Sequence, residues 1–249
     1  MGAALAVFRR EFGASLSSPV AWAATVLLVL ALHLLFFFVG FPIGDRTLPA
    51  FWSGRVAMLD GLFAWLPVFF AILAPALTMG SWAEERRAGT DEILMSLPVR
   101  TRELVLGKFL ASWCLLAAIT VLAILPVALM VDSVGSLDWG TVWGGTLGAC
   151  LLAGASVGVG LATSACAREE LVAFLGSAAI LGLLWALMLV IRILPGEWAD
   201  AAYYASPALH FLESSARGLL DLRDAIYFLL FTGGALLINI SVVEGRRWG

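Results

Sequence analysis

LDGLFAWLPVFFAILAPALTMGSWAEERRAGTDEILMSLP, residues 59–98, joins two very different kinds of chain. From Leu59 to Met79 only Asp60 is charged. A bilayer core about 30 Å thick takes about 20 apolar residues of helix, so this run is long enough to cross. The next residues, Ser81, Trp82, Ala83, Glu84, Glu85, Arg86 and Arg87, keep the helical reading but turn polar. Gly89 stops that helix in the manner of a C-terminal glycine, and Arg86 and Arg87 occupy the last turn, where cations suit the helix dipole. Thr90 then serves as the N-cap of a second short helix, with Asp91 and Glu92 in its first turn. Ile93, Leu94 and Leu97 give this piece an apolar side and Pro98 ends it. A short helix with one apolar side, carried on a rigid stem, suits a groove on another protein. The competing reading, a helix resting on lipid headgroups, is disfavoured by Glu84, Glu85, Asp91 and Glu92, which anionic lipid repels.

The rest of the chain extends the first half of that pattern. Of 249 residues, 61% are hydrophobic and 13% charged, far from the composition of a soluble domain. Five more apolar runs match the one at 59–79; the six spans are expected at about 19–40, 59–79, 109–131, 142–165, 171–194 and 225–243. Lipid offers no partner to backbone N–H and C=O groups, so the spans must be helices. No alternating strands suggest a barrel. The expected fold is therefore an all-α integral membrane protein of one domain, residues 1–249. Before the first span, Leu5, Phe8, Phe12 and Leu16 recur at helical spacing and predict an interfacial helix over 3–17. Ser18 is placed to N-cap the first span and Pro19 suits its first position. That span is too long for a leader's apolar core, so no cleavable leader is expected.

Arginine placement sets the orientation. With the N-terminus in the cytoplasm, Arg9, Arg10, Arg86, Arg87, Arg100, Arg102, Lys108, Arg168, Arg246 and Arg247 lie inside, against Arg46, Arg55, Arg192, Arg217 and Arg223 outside. Both termini are then cytoplasmic. Two connections are long enough for structure of their own: the inner loop 80–107 and the outer segment 195–224.

Several chemistries are excluded or weakened. No clustered positive footprint exists, which argues against nucleic acid. Cys114, Cys150 and Cys166 have no CxxC spacing, so neither a metal site nor a disulfide framework is indicated. A P-loop needs GxxxxGK[ST], and the only lysine, Lys108, follows Leu106-Gly107 without that pattern. Gly154-Ala155-Ser156-Val157-Gly158 matches a nucleophile elbow, but it sits inside a span, where Gly144, Gly148, Gly154 and Gly158 supply the spacing that lets helices approach closely. His33 lies within the first span, either bonded to a neighbouring helix or contacting substrate. In the outer segment, Ser206-Pro207 opens a helix ending near Gly218. There His210 and Glu213, and Glu213 and Arg217, can share a face, either as a local salt-bridged helix capping the outer mouth or as an outer gate. No catalytic set emerges.

At the inner loop the sequence resembles a family. Trp82-Ala83-Glu84-Glu85-Arg86-Arg87-x-Gly89-Thr90-x-Glu92-x-Leu94-x-x-x-Pro98 is similar to the coupling-helix region of type-2 ABC exporter permeases. Ser206-Pro207-x-x-His210-Phe211, Arg217-Gly218 and Asp221-x-Arg223-Asp224 resemble the gliding-motility-associated branch, and the permease of nitrous-oxide-reductase maturation has the same layout. The resemblance covers nearly the whole chain. It implies a paired permease, with a second copy or a paralogue, in the bacterial cytoplasmic membrane. A separate ATPase subunit would dock on the coupling helix and hold the ATP and magnesium, with no cofactor in this chain. It also implies a re-entrant helical pair at 195–224. The alternatives are a stand-alone secondary transporter or channel, which predicts repeats and mid-membrane charges, and an intramembrane enzyme, which lacks its catalytic partners here.

Overall fold

The computed structural model describes residues 2–42, 47–54, 57–89, 99–191, 193, 195–218 and 221–247. Helices make up nearly all of the described chain, apart from one bridge between Phe41 and Leu48. In order they are α1 (Gly2–Ser17), α2 (Pro19–Leu34), α3 (Phe51–Gly54), α4 (Asp60–Thr78), α5 (Gly80–Arg87), α6 (Thr101–Val134), α7 (Trp139–Cys166), α8 (Glu170–Val190), α9 (Gly196–Ala205), α10 (Pro207–Glu213) and α11 (Leu222–Arg247). Among the described residues, five helical stretches are long and apolar enough to cross a membrane: Asp60–Arg87, which joins α4 to α5, then α6, α7, α8 and Leu222–Arg246.

The first expected span takes a mixed form. After α2, the backbone widens into a single π-turn, Leu35–Val39, closed by Gly40 N–H donating to Leu35 O at 2.8 Å. Gly40 has φ +75, and a side chain there would strike the backbone of Leu48, Pro49 and Ala50. The Trp65 indole donates to the Gly40 carbonyl at 2.9 Å and ties this turn to α4. The third expected span starts earlier than its apolar run suggests, at Thr101 rather than near 109. Hydropathy sees only the apolar stretch, whereas the helix continues because Lys108 finds partners inside the fold.

The centre of the bundle is α7, packed against α4, α6, α8 and α11. Its glycines explain how one helix can serve so many neighbours. Lipid is as apolar as leucine, so membrane helices associate through close packing. A side chain on Gly148 would collide with Ser215, and one on Gly160 would collide with Thr78. Ser156, the residue of the elbow-like motif, is buried and donates to Leu152 O at 2.9 Å within α7. By contrast α8 buries little beyond Ala173, Ser177 and Leu181 and leaves Leu171, Val172, Leu175 and Leu183 exposed.

Candidate functional site

Contacts between residues distant in sequence gather α4–α5, α6, α7, α8 and α11 at two ends. The stem end holds α5, the start of α6 and the close of α7. The far end holds α9, α10 and the start of α11.

At the stem end, α5 is held by α7. Ser164 is fully buried; its hydroxyl donates to Met79 O at 2.8 Å and accepts from Trp82 N–H at 3.1 Å and Ala83 N–H at 3.4 Å. One hydroxyl thus satisfies groups on both sides of the junction between α4 and α5, where helical ends leave donors unpaired. Farther along, Arg86 Nη1 donates to Ala167 O at 2.6 Å. That places a cation on the C-terminal carbonyls of α7. Gly89 adopts φ +67 and ends the stem, with Ala88 N–H donating to Glu84 O at 2.9 Å.

Lys108 of α6 is the centre of this end. It is only 2% exposed, and its ammonium donates to Ser81 O at 2.7 Å, Glu85 Oε1 at 2.9 Å and Glu11 Oε1 at 3.2 Å. An ammonium has three donors, so these acceptors match its capacity. Nζ also lies 4.9 Å from the centre of the Trp82 ring, a cation–π position. Arg10 of α1 adds a bond to Glu85 at 2.9 Å. Beside this cluster α1 lies directly on α6: a side chain on Gly107 would come within 2.7 Å of Val7 and 2.8 Å of the Ala4 carbonyl. Three elements, α1, α5 and α6, therefore meet on one buried ammonium.

The far end is closed differently. Ser206 caps α10, accepting from Leu209 N–H, while its hydroxyl donates to Leu184 O of α8 at 2.7 Å. His210 is buried and its Nδ1 lies 3.2 Å from Asp224 Oδ1 on α11. The ring stacks on Tyr227 with centroids 3.9 Å apart and meets Tyr203 at 4.6 Å. Tyr203 is pushed up to about 12 by burial first, then by the charge and hydrogen bond of Glu213. Gly218, with φ +79, turns the chain after a 3-10 turn, Ser215–Arg217. Arg217 lines a cavity of about 540 Å³ with Asp60 and Asp138. Asp138 caps α7, and its carboxyl is held below the ordinary range by hydrogen bonds from the Thr141 hydroxyl and Gly140 N–H.

The profile of the ABC-2 family transporter proteins matches residues 5–222 of this chain. The chain belongs to that family. No curated protein matches it. It is therefore a multi-span membrane permease of a non-catalytic family whose members generally work with an ATPase partner.

Within this ABC-2 permease the residues expected to meet the ATPase divide. Glu84, Arg87 and Gly89 are exposed. Glu85 and Arg86 turn inward, to Lys108 and to Ala167. Thr90, Glu92, Leu94, Leu97 and Pro98 lie outside the described residues. Sequence spacing put His210 beside Glu213 on one helical face. In the structure His210 contacts Asp224, because α10 folds back against α11, and Glu213 contacts Tyr203 instead. His33 Nε2 donates to Ala123 O on α6 at 2.8 Å, three residues before Pro126. A carbonyl only accepts, so that nitrogen carries the proton.

Sequence reasoning missed Lys108, Glu11, Ser164, Asp224 and the tyrosines around His210. Lys108 carried a usable signal, since an ionisable residue at the border of an apolar helix points to a partner. Ser164 carried none and Asp224 only its place in the motif Asp221-x-Arg223-Asp224, because their partners are helices brought close only by folding.

Proposed function

We propose that this permease is the membrane-spanning subunit of an ATP-binding-cassette exporter, driven through the connection between α5 and α6. The observation that carries this is a shared overshoot. Asp60–Arg87 has 28 residues and α6 has 34. At 1.5 Å per residue they are about 42 Å and about 51 Å long, against a core of about 30 Å. Their charged ends, Glu84 to Arg87 and Arg100 to Glu103, flank residues 90–98 in the sequence, and Lys108 of α6 bonds Ser81 O and Glu85 of α5. A pair of rigid helices carrying a short amphipathic segment beyond the lipid is a lever that a soluble motor can grip.

On this reading the segment 90–98 is the coupling helix, and Glu84 and Arg87 flank its docking surface. α2 with its π-turn is the sixth span, α1 lies in the inner interface, both termini are cytoplasmic and the membrane is the bacterial inner membrane. A second copy or a paralogue completes the pathway. The α9–α10 segment is the re-entrant pair that gates the outer mouth.

Replacing Glu92 by Arg or Leu94 by Asp is expected to abolish co-purification with the ATPase while membrane insertion stays normal. Undiminished co-purification removes the docking assignment.

A further inference from the structure

We infer that Lys108 is a positioning residue for coupling: it fastens the amphipathic helix α1 to the stem α5 and to α6, so that the three move as one lever. The inference deepens the exporter reading and rests on it for the motion, though not for the brace. The geometry is specific. Each neighbour supplies its own acceptor to the same Nζ: Glu11 from α1, Ser81 O and Glu85 from α5, with α6 carrying the lysine. The site is almost closed to solvent, at 2% exposure for the lysine and 13% for the Glu85 side chain. Water cannot stand in cheaply for any of the three bonds there. The Arg10 side chain, 62% exposed, shares the two glutamates only from the rim. Shape supports the same arrangement, since α1 touches α6 at Gly107, the residue before the lysine.

The consequence concerns where force goes. The stem α5 and α6 are the two legs of the connection that the ATPase would grip. A push on that connection reaches both legs together because Lys108 cross-links them. It reaches α1 as well, an element that would otherwise lie passively on the membrane surface. Removing the ammonium would leave the connection able to bind its motor while the legs and α1 respond separately.

Spin labels at Leu5→Cys on α1 and Arg87→Cys at the end of the stem, in a chain with Cys114, Cys150 and Cys166 replaced by alanine, read this directly. In the purified permease alone, a narrow distance distribution is expected, lost in Lys108→Met and retained in Lys108→Arg. The double variant Lys108→Met with Glu85→Gln leaves no orphan charge on the stem, and the same broadening is expected from it. A distribution that stays narrow in both methionine variants overturns the inference. With the co-expressed ATPase and a trapped nucleotide, the α1-to-stem distance is expected to stay constant in the native chain and to shift in Lys108→Met, which still co-purifies. A shift in the native chain overturns the common lever. A chain that binds no ATPase at all overturns the exporter reading, and the first measurement still decides the brace.

Discussion

The two ends of the bundle are both closed by buried polar contacts, yet their chemistry differs. At the stem end a cation is shared among three acceptors from two neighbouring helices, and a carboxylate is shared between two cations. At the far end one histidine meets one carboxylate at 3.2 Å, and aromatic faces do the rest. A shared buried ion is hard to open, because loss of any partner leaves charge away from water. A single contact backed by ring stacking opens with less disruption, since stacked rings are worth about 0.5–1.5 kcal/mol beyond their burial. The stem end is thus the more firmly tied of the two.

The contrast can be broken most severely at Lys108. Lys108→Met is expected to lower stability by about 3–5 kcal/mol, the cost of removing one partner from a buried ion pair. Thermal unfolding in detergent checks this, and a shift no larger than that of a surface variant would refute the assignment. Asp224→Ala comes next, with about 1.5–3 kcal/mol for the lost hydrogen bond to the carboxylate. The loss should be confined to the far end: hydrogen exchange rises in α10 while the stem stays protected. Gly148→Val sharpens the comparison from the packing side. It forces α7 away from Ser215, with a cost of about 1–3 kcal/mol for overpacking. Its exchange signature should match that of Asp224→Ala.

The smallest effect is expected on alkaline titration. Tyr203 is raised from 10.0 to about 12, so its contribution is complete below the ordinary tyrosine value and is lost as pH rises through about 12. In a Tyr227→Phe background, tyrosinate absorbance of the folded protein should show Tyr203 titrating late, near that value, and moving toward the ordinary value in Glu213→Gln.

Much of the fold was legible because membrane insertion imposes rules that a sequence displays openly. Runs of apolar residues and the break at Gly89 needed no tertiary knowledge. Gly89 does end the stem with a left-handed turn. The site was less legible. Glu84, Glu85, Arg86 and Arg87 read as one charged surface, yet two of them turn inward, because which face of a helix meets solvent depends on where its neighbours lie. Lys108 entered the sequence reading only as one of the inner-side cations and as a lysine that fails to form a P-loop. The elbow-like motif at Ser156 had its correct reading in its setting within a span, where the hydroxyl bonds its own helix.

Local composition and helical spacing by themselves determined that the chain is a bundle of membrane-crossing helices with a charged stem, because the energy of placing a residue in lipid depends on that residue and its near neighbours. Only the tertiary structure decided that α1, α5 and α6 share one ammonium and that His210 belongs to Asp224. Such contacts join residues 14 to 97 positions apart. No spacing rule along a single helix carries information across that distance.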